Sequence, residues 1–347
     1  MSATGFRLLF AAVLALAIGA AFHSEGKTQR VGFPSLAGAT EWLNSPPLTP
    51  AGLRGKVVLV DFWTFTCINW LRTLPYVRAW AAKYKDQGLV VIGVHTPEFS
   101  IERDAGDVRR MAKQFGVEFP IALDPEYAVW RAFDNEYWPA LYLIDAQGQV
   151  RHRQFGEGGY EQSEQVIQKL LAEAGSQVDR RPAVADIRPL ELSADSRNLR
   201  SLETYVGRDR AERFASREDV ARNGRRTYSF PDRLALNDWA LSGEWTVGGE
   251  AALSNERSGR IAYRFHARDL NLVMAPATRG TPVRFRVLID GKPPGAAHGI
   301  DVDEQGSGAV TEPRLYQLIR QPGSVVDRRF ELEFLDPGGK VLDFTFG

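Results

Sequence analysis

One stretch limits what this 347-residue chain can become. Val57 to Trp63 is an apolar, largely β-branched run broken by a single acid, Asp61. A short continuous apolar run of this kind reads as a strand buried on both faces. From about Cys67 to Tyr84, apolar residues (Ile68, Leu71, Leu74, Tyr76, Val77, Trp80, Ala81, Tyr84) recur at helical spacing. A strand that turns directly into a helix puts its last connecting residue at the helix N-terminus. Here that residue is Cys67, the only cysteine in the chain. Orphan amides and the helix dipole favour an anion there, so the arrangement predicts an accessible thiol with a lowered pKa.

Val60-Asp61-Phe62-Trp63, with the cysteine six residues after the acid, resembles a thioredoxin active-site strand. The longer string Phe62 to Asn69, followed by Arg72-Thr73-Leu74-Pro75-Tyr76-Val77, is similar to the thioredoxin-like domain of the DipZ branch of the TlpA family. His95-Thr96-Pro97-Glu98-Phe99 shares that resemblance. It implies an α/β thioredoxin fold with Cys67 as nucleophile and Asp61 as the buried acid that relays its proton. It also implies that Trp138-Pro139 is a cis X-Pro bond beside the cysteine. An extended substrate could pair with the backbone before Pro139. Trp138, Trp63 and Trp70 are counted with Pro139 as substrate-side residues. His95 and Glu98, at the end of the strand Leu89–Val94, are candidate modulators of the thiol.

The chain departs from the family at one decisive position. The family carries Cys-x-x-Cys, and here Trp70 stands at the second cysteine. A dithiol enzyme uses that second thiolate to release its product. With Trp70 in its place, a mixed disulfide on Cys67 must be resolved by an external thiol. That leaves three readings: single-thiol disulfide exchange, peroxide reduction through a sulfenic acid, or a binding module without catalysis. Peroxiredoxins need Pro-x-x-x-Thr-x-x-Cys; Thr64 fits, but Val60 occupies the proline position.

Acidic and basic residues balance to a net charge of zero, which gives no basic footprint for nucleic acid. The apolar run from Leu8 to Phe22 follows Arg7 and is too short to span a bilayer comfortably, so residues 1–22 read as a signal peptide or N-terminal anchor. The expected location is the periplasm, either free or anchored to the inner membrane facing it. Residues 23–34 read as a linker, 35–175 as the thioredoxin-like domain and 176–199 as a second, polar linker. In 200–347, short β-like runs recur between turn signals such as Asp290-Gly291 and Pro337-Gly338-Gly339, which predicts an all-β sandwich. Glu203 to Gly207 and Leu236 to Trp239 resemble the jelly-roll-like, carbohydrate-binding-module-like domain of DipZ-type proteins. Tyr228, Trp239, Trp245 and Tyr263 could stack on a sugar there or lie in the core. The five histidines show no metal-ligand spacing, so neither metal nor redox cofactor is expected. The partners implied are disulfide-containing envelope proteins or small thiols, a membrane electron donor of the DipZ/CcdA type, and a glycan at the C-terminal domain.

Overall fold

The computed structural model describes residues 32–219 and 224–347. The expected signal segment and most of the first linker lie outside the described residues. Among the described residues no helix is long and apolar enough to cross a membrane.

The N-terminal part runs β1 (Glu41–Leu43), β2 (Val57–Trp63), α1 (Ile68–Tyr84), β3 (Leu89–His95), α2 (Ala105–Phe115), β4 (Ile121–Leu123), α3 (Ala128–Ala132), β5 (Ala140–Ile144), β6 (Val150–Phe155) and α4 (Tyr160–Glu173). Its sheet has the order β1-β4-β3-β2-β5-β6, with β2 parallel to β3 and β3 to β4. Central β2 is buried at every position. Its side chains alternate between two cores, as the pleat requires. Val57, Leu59 and Trp63 pack with α1 and α4. Val58, Val60 and Phe62 pack with Phe133 and Tyr142 on the other face. Asp61 therefore shares a face with α1.

The charged stretch from Glu102 to Phe115 is divided. Ser100–Glu102 forms a separate 3-10 turn, and α2 starts at Ala105. The Asp104 carboxylate accepts the Asp107 amide at 2.9 Å, which caps the helix and fixes its start.

Residues 176–199 are fastened to the thioredoxin sheet. Ser176 donates to the Gln87 carbonyl at 2.7 Å. Arg78 on α1 grips both carboxylate oxygens of the buried Glu191, at 2.7 and 2.8 Å.

The C-terminal part is antiparallel. Its strands are β7 (Thr204–Tyr205), β8 (Arg225–Tyr228), β9 (Trp239–Val247), β10 (Ala252–Ser254), β11 (Arg260–Phe265), β12 (Asp269–Pro276), β13 (Val283–Ile289), β14 (Ser307–Val310), β15 (Arg314–Arg320), β16 (Arg328–Phe334) and β17 (Gly339–Phe346). They form one curled sheet, β14-β13-β16-β11-β9-β10-β17-β12-β15, with β7 on β17 and β8 on β9. Strand β9 belongs to both halves. Trp239–Ser242 pair with β11, and the residues beyond Gly243 pair with β8 and β10. Gly243 has φ +92°, a backbone that few L side chains adopt, and it turns the strand from one half to the other. The halves close on a shared core, with the Tyr263 and Phe344 ring centroids 4.9 Å apart. The result is the expected α/β thioredoxin fold followed by an all-β sandwich. Tyr228, Trp239, Trp245 and Tyr263 are all buried in that core, so none offers a face to a sugar.

The two sheets meet across α1 and α2. Val273, Leu315 and Leu342 of the C-terminal sheet enter the α1 core. Arg279 pairs with the buried Asp107 at 2.7 Å, and Arg72 on α1 donates to the Phe346 carbonyl at 3.2 Å.

Candidate active site

Cys67 is the N-cap residue of α1, with extended backbone (φ −74°, ψ 111°), and its thiol is free. The turn before it is closed by the Cys67 amide, which donates to the Thr64 carbonyl at 3.3 Å. This is the position expected from the strand-to-helix spacing, but the electrostatics are reversed. Burial pushes the thiol well above its ordinary value, and the Glu203 and Glu98 carboxylates push it further. The Trp70 and Asn69 amides at the helix terminus pull it down, and they do not prevail. The expected lowering considered α1 alone. The C-terminal sheet adds both the cover and one of the acids.

Below the cysteine, Asp61 is 0% exposed. Burial raises its carboxyl from 3.8 to about 7, against a hydrogen bond from Trp70. That bond runs from the indole Nε1 to Asp61 Oδ2 at 3.0 Å, while Oδ1 has no partner. Trp70 therefore points inward. It stacks on Trp63, with centroids 4.3 Å apart and planes 20° apart. Both rings are fully buried, so neither faces a substrate, contrary to expectation. Gly93 gives Trp63 its space: a Cβ there would stand 2.8 Å from the indole nitrogen.

His95 ends β3 beside Trp63 in register, and it is buried against the Trp63 and Phe65 rings. Burial lowers it to about 3, so it is neutral and supplies no cation to the thiol. Pro139 is buried and follows a cis peptide bond from Trp138. Trp138 is half-buried, donates from Nε1 to the Thr96 carbonyl at 3.0 Å, and packs on Trp130. Thr64 is buried beside the Glu102 carboxyl.

Above the cysteine the groups are charged. Glu98 accepts the Tyr205 hydroxyl at 2.7 Å and Arg210 at 2.8 Å, and the Arg210 guanidinium lies 3.6 Å from the Tyr205 ring centroid. Asp343 on β17 is buried, and burial together with Glu203 and Glu98 raises its carboxyl well above the usual range. Sequence reading singled out neither Arg210 nor Asp343, and Glu203 and Tyr205 only as part of a family phrase. No local spacing marks a residue that reaches the site from another sheet. It also passed over Glu102, which is fully buried next to the turn that carries Cys67. Among the described residues no group of three or more His, Cys, Asp or Glu side chains is positioned to hold a metal ion.

Comparison with known proteins accounts for both sheets. The Redoxin family matches residues 39–171, and the family described as Thioredoxin like C-terminal domain matches 201–347. Thiol-disulfide oxidoreductase YkuV of Bacillus subtilis is 35% identical over 140 residues, which are 40% of this chain and 94% of that protein. The chain belongs to the redoxin branch of the thioredoxin family. Within the redoxins, Protein DipZ of Mycobacterium bovis is 40% identical over 266 residues, and the match covers 75% of this chain. The match covers 36% of DipZ, so the chain spans about a third of the length of that relative. A solution structure of a thioredoxin-like protein in the oxidized form is 36% identical, covers 42% of this chain and 97% of its own, and has a TM-score of 0.39.

Proposed function

We propose that this redoxin is a thiol–disulfide oxidoreductase of the cell envelope that works through one thiol, Cys67. The observation that carries the reading is the Cys67 position itself, at the N-cap of α1, with the buried Asp61 close to half-ionised at neutral pH. The Cys67 sulfur, once deprotonated, attacks a substrate disulfide. A mixed disulfide forms and one substrate thiolate leaves. Asp61 is the buried group that holds the displaced proton. Trp70 cannot complete the cycle, so an external thiolate attacks the mixed disulfide and returns Cys67 to its reduced form. Disulfide-containing envelope proteins are the substrate class, and a small thiol or a membrane donor of the DipZ/CcdA type is the source of the second thiol. Export rests on the apolar run Leu8–Phe22. In this reading the thioredoxin-like domain comprises 35–175, and the sandwich, 200–347, covers the site.

The test is to incubate reduced protein with a disulfide peptide and follow adducts by intact mass, with and without glutathione. A peptide adduct on Cys67 that glutathione releases, and that Cys67→Ser abolishes, is the expected result. No adduct at any pH up to 9, from protein that iodoacetamide still alkylates, would end the exchange reading. That outcome would leave the fold as a binding module.

A further inference from the structure

Glu102 lies outside the machinery described above, yet it is 0% exposed and fully used. Its Oε1 accepts the Thr66 amide at 3.1 Å and the Thr66 hydroxyl at 2.6 Å. Its Oε2 accepts the Glu98 amide at 2.7 Å and the Phe99 amide at 2.9 Å. An ionised carboxylate, which accepts and does not donate, matches four donors across two oxygens. These donors come from two loops. One carries Thr66, the residue before Cys67. The other follows β3 and carries Glu98, which in turn holds Tyr205 and Arg210 of the C-terminal sheet.

We propose that Glu102 is the positioning residue of this site: its carboxylate ties the turn that delivers Cys67 to the Glu98 loop, and so sets where the sulfur stands at the start of α1. One side chain thereby fixes the thiol from the thioredoxin side and the anchor of the covering sheet. Glu102 acts through Thr66 and touches no reacting atom. Burial raises the Glu102 carboxyl and the Glu98 charge adds to it, against the hydrogen bonds that favour its ionised form. The inference rests on Cys67 being the reactive group of the proposed exchange, but its test needs no substrate.

The experiment measures the rate of Cys67 alkylation by iodoacetamide from pH 6 to 10 in the full chain, for wild type, Glu102→Gln and Thr66→Val, alongside thermal unfolding. Glutamine keeps the shape but turns an amide NH2 toward two N–H donors. Glu102→Gln should slow alkylation about tenfold, the scale of a small misplacement of a reacting group, and change the midpoint of the pH profile as the sulfur moves relative to the α1 amides and the Glu98 and Glu203 carboxylates. Thr66→Val removes one donor and should move both quantities the same way by a smaller factor. Lower melting temperatures with rate–pH curves that superimpose on wild type would reduce Glu102 to a structural tie and overturn the proposal. If Glu102→Gln does not fold, Thr66→Val decides between the same two outcomes. A wild-type protein that is alkylated at Cys67 but never forms a mixed disulfide ends the exchange reading and leaves this one standing.

Discussion

The two sides of Cys67 differ in kind. Beneath it, the thioredoxin sheet presents stacked indoles, a neutral histidine and one acid. Above it, the C-terminal sheet brings Glu203, Tyr205, Arg210 and Asp343 against Glu98. The lower side is apolar and fixes the helix that carries the sulfur. The upper side is ionic and adjusts how readily the sulfur loses its proton. A thioredoxin motif therefore sets the place of the thiol, while its reactivity is shared with a sheet that the motif does not contain.

The largest effect should come from the lower side. Trp70→Ala empties the space of a fully buried indole and leaves Asp61 without its donor. A loss of roughly 3–5 kcal/mol is the scale for truncating a buried aromatic, measured by denaturant unfolding. A loss under 1 kcal/mol would mean that the lower side does not rest on the Trp63–Trp70 stack.

Asp61 comes next. Its folded pKa is raised, so between its ordinary value of 3.8 and about 7 the native state holds a proton that the unfolded chain has released. Stability then falls as pH rises through that window. At about 1.4 kcal/mol per pKa unit, the total is of order 4 kcal/mol. Asp61→Asn should flatten the slope of stability against pH between 4 and 7. An unchanged slope would assign the titration elsewhere.

The upper side should give smaller changes in stability and clearer ones in the thiol. Tyr205→Phe removes one hydrogen bond to Glu98 and should cost about 1 kcal/mol. Glu203→Gln removes the largest charge that raises Cys67, so its alkylation profile should shift to lower pH. A shift to higher pH would break the division between the two sides. The smallest effect belongs to Arg279→Ala, which loses an exposed guanidinium pairing with Asp107 and Asp104. Its change in melting temperature should shrink toward zero in high salt.

The lower side was largely legible in the sequence, and the upper side was not. Cys67 and Asp61 stand out by local spacing, because a strand, a turn and a helix fix their relation within one short segment, whereas Pro139 is far along the chain and was placed beside them only by the family resemblance. The inward aim of Trp70 had a signal too: Trp70, Leu74 and Val77 share one helical face, which is the buried face of α1. Reading Trp70 only against the missing cysteine passed over that periodicity. Glu102 stands two residues before the Asp104 cap of α2, and no spacing sets it apart from that helix. Tyr205 and Arg210 reach Glu98 from 107 and 112 residues away. No periodicity reports a contact at that separation, so the raised thiol could not be read from the N-terminal motif.

The bond from Arg72 to the Phe346 carbonyl joins residues 274 apart. At ~5–20 residues per second, a ribosome that has just made Arg72 needs roughly 14 to 55 seconds to supply its partner. Through that interval the nascent thiol has its helix but not its cover. A newborn chain thus passes through a period in which a thiol that is part-exposed in the finished molecule is open to oxidants on every side. That period closes when β17 pairs with β7.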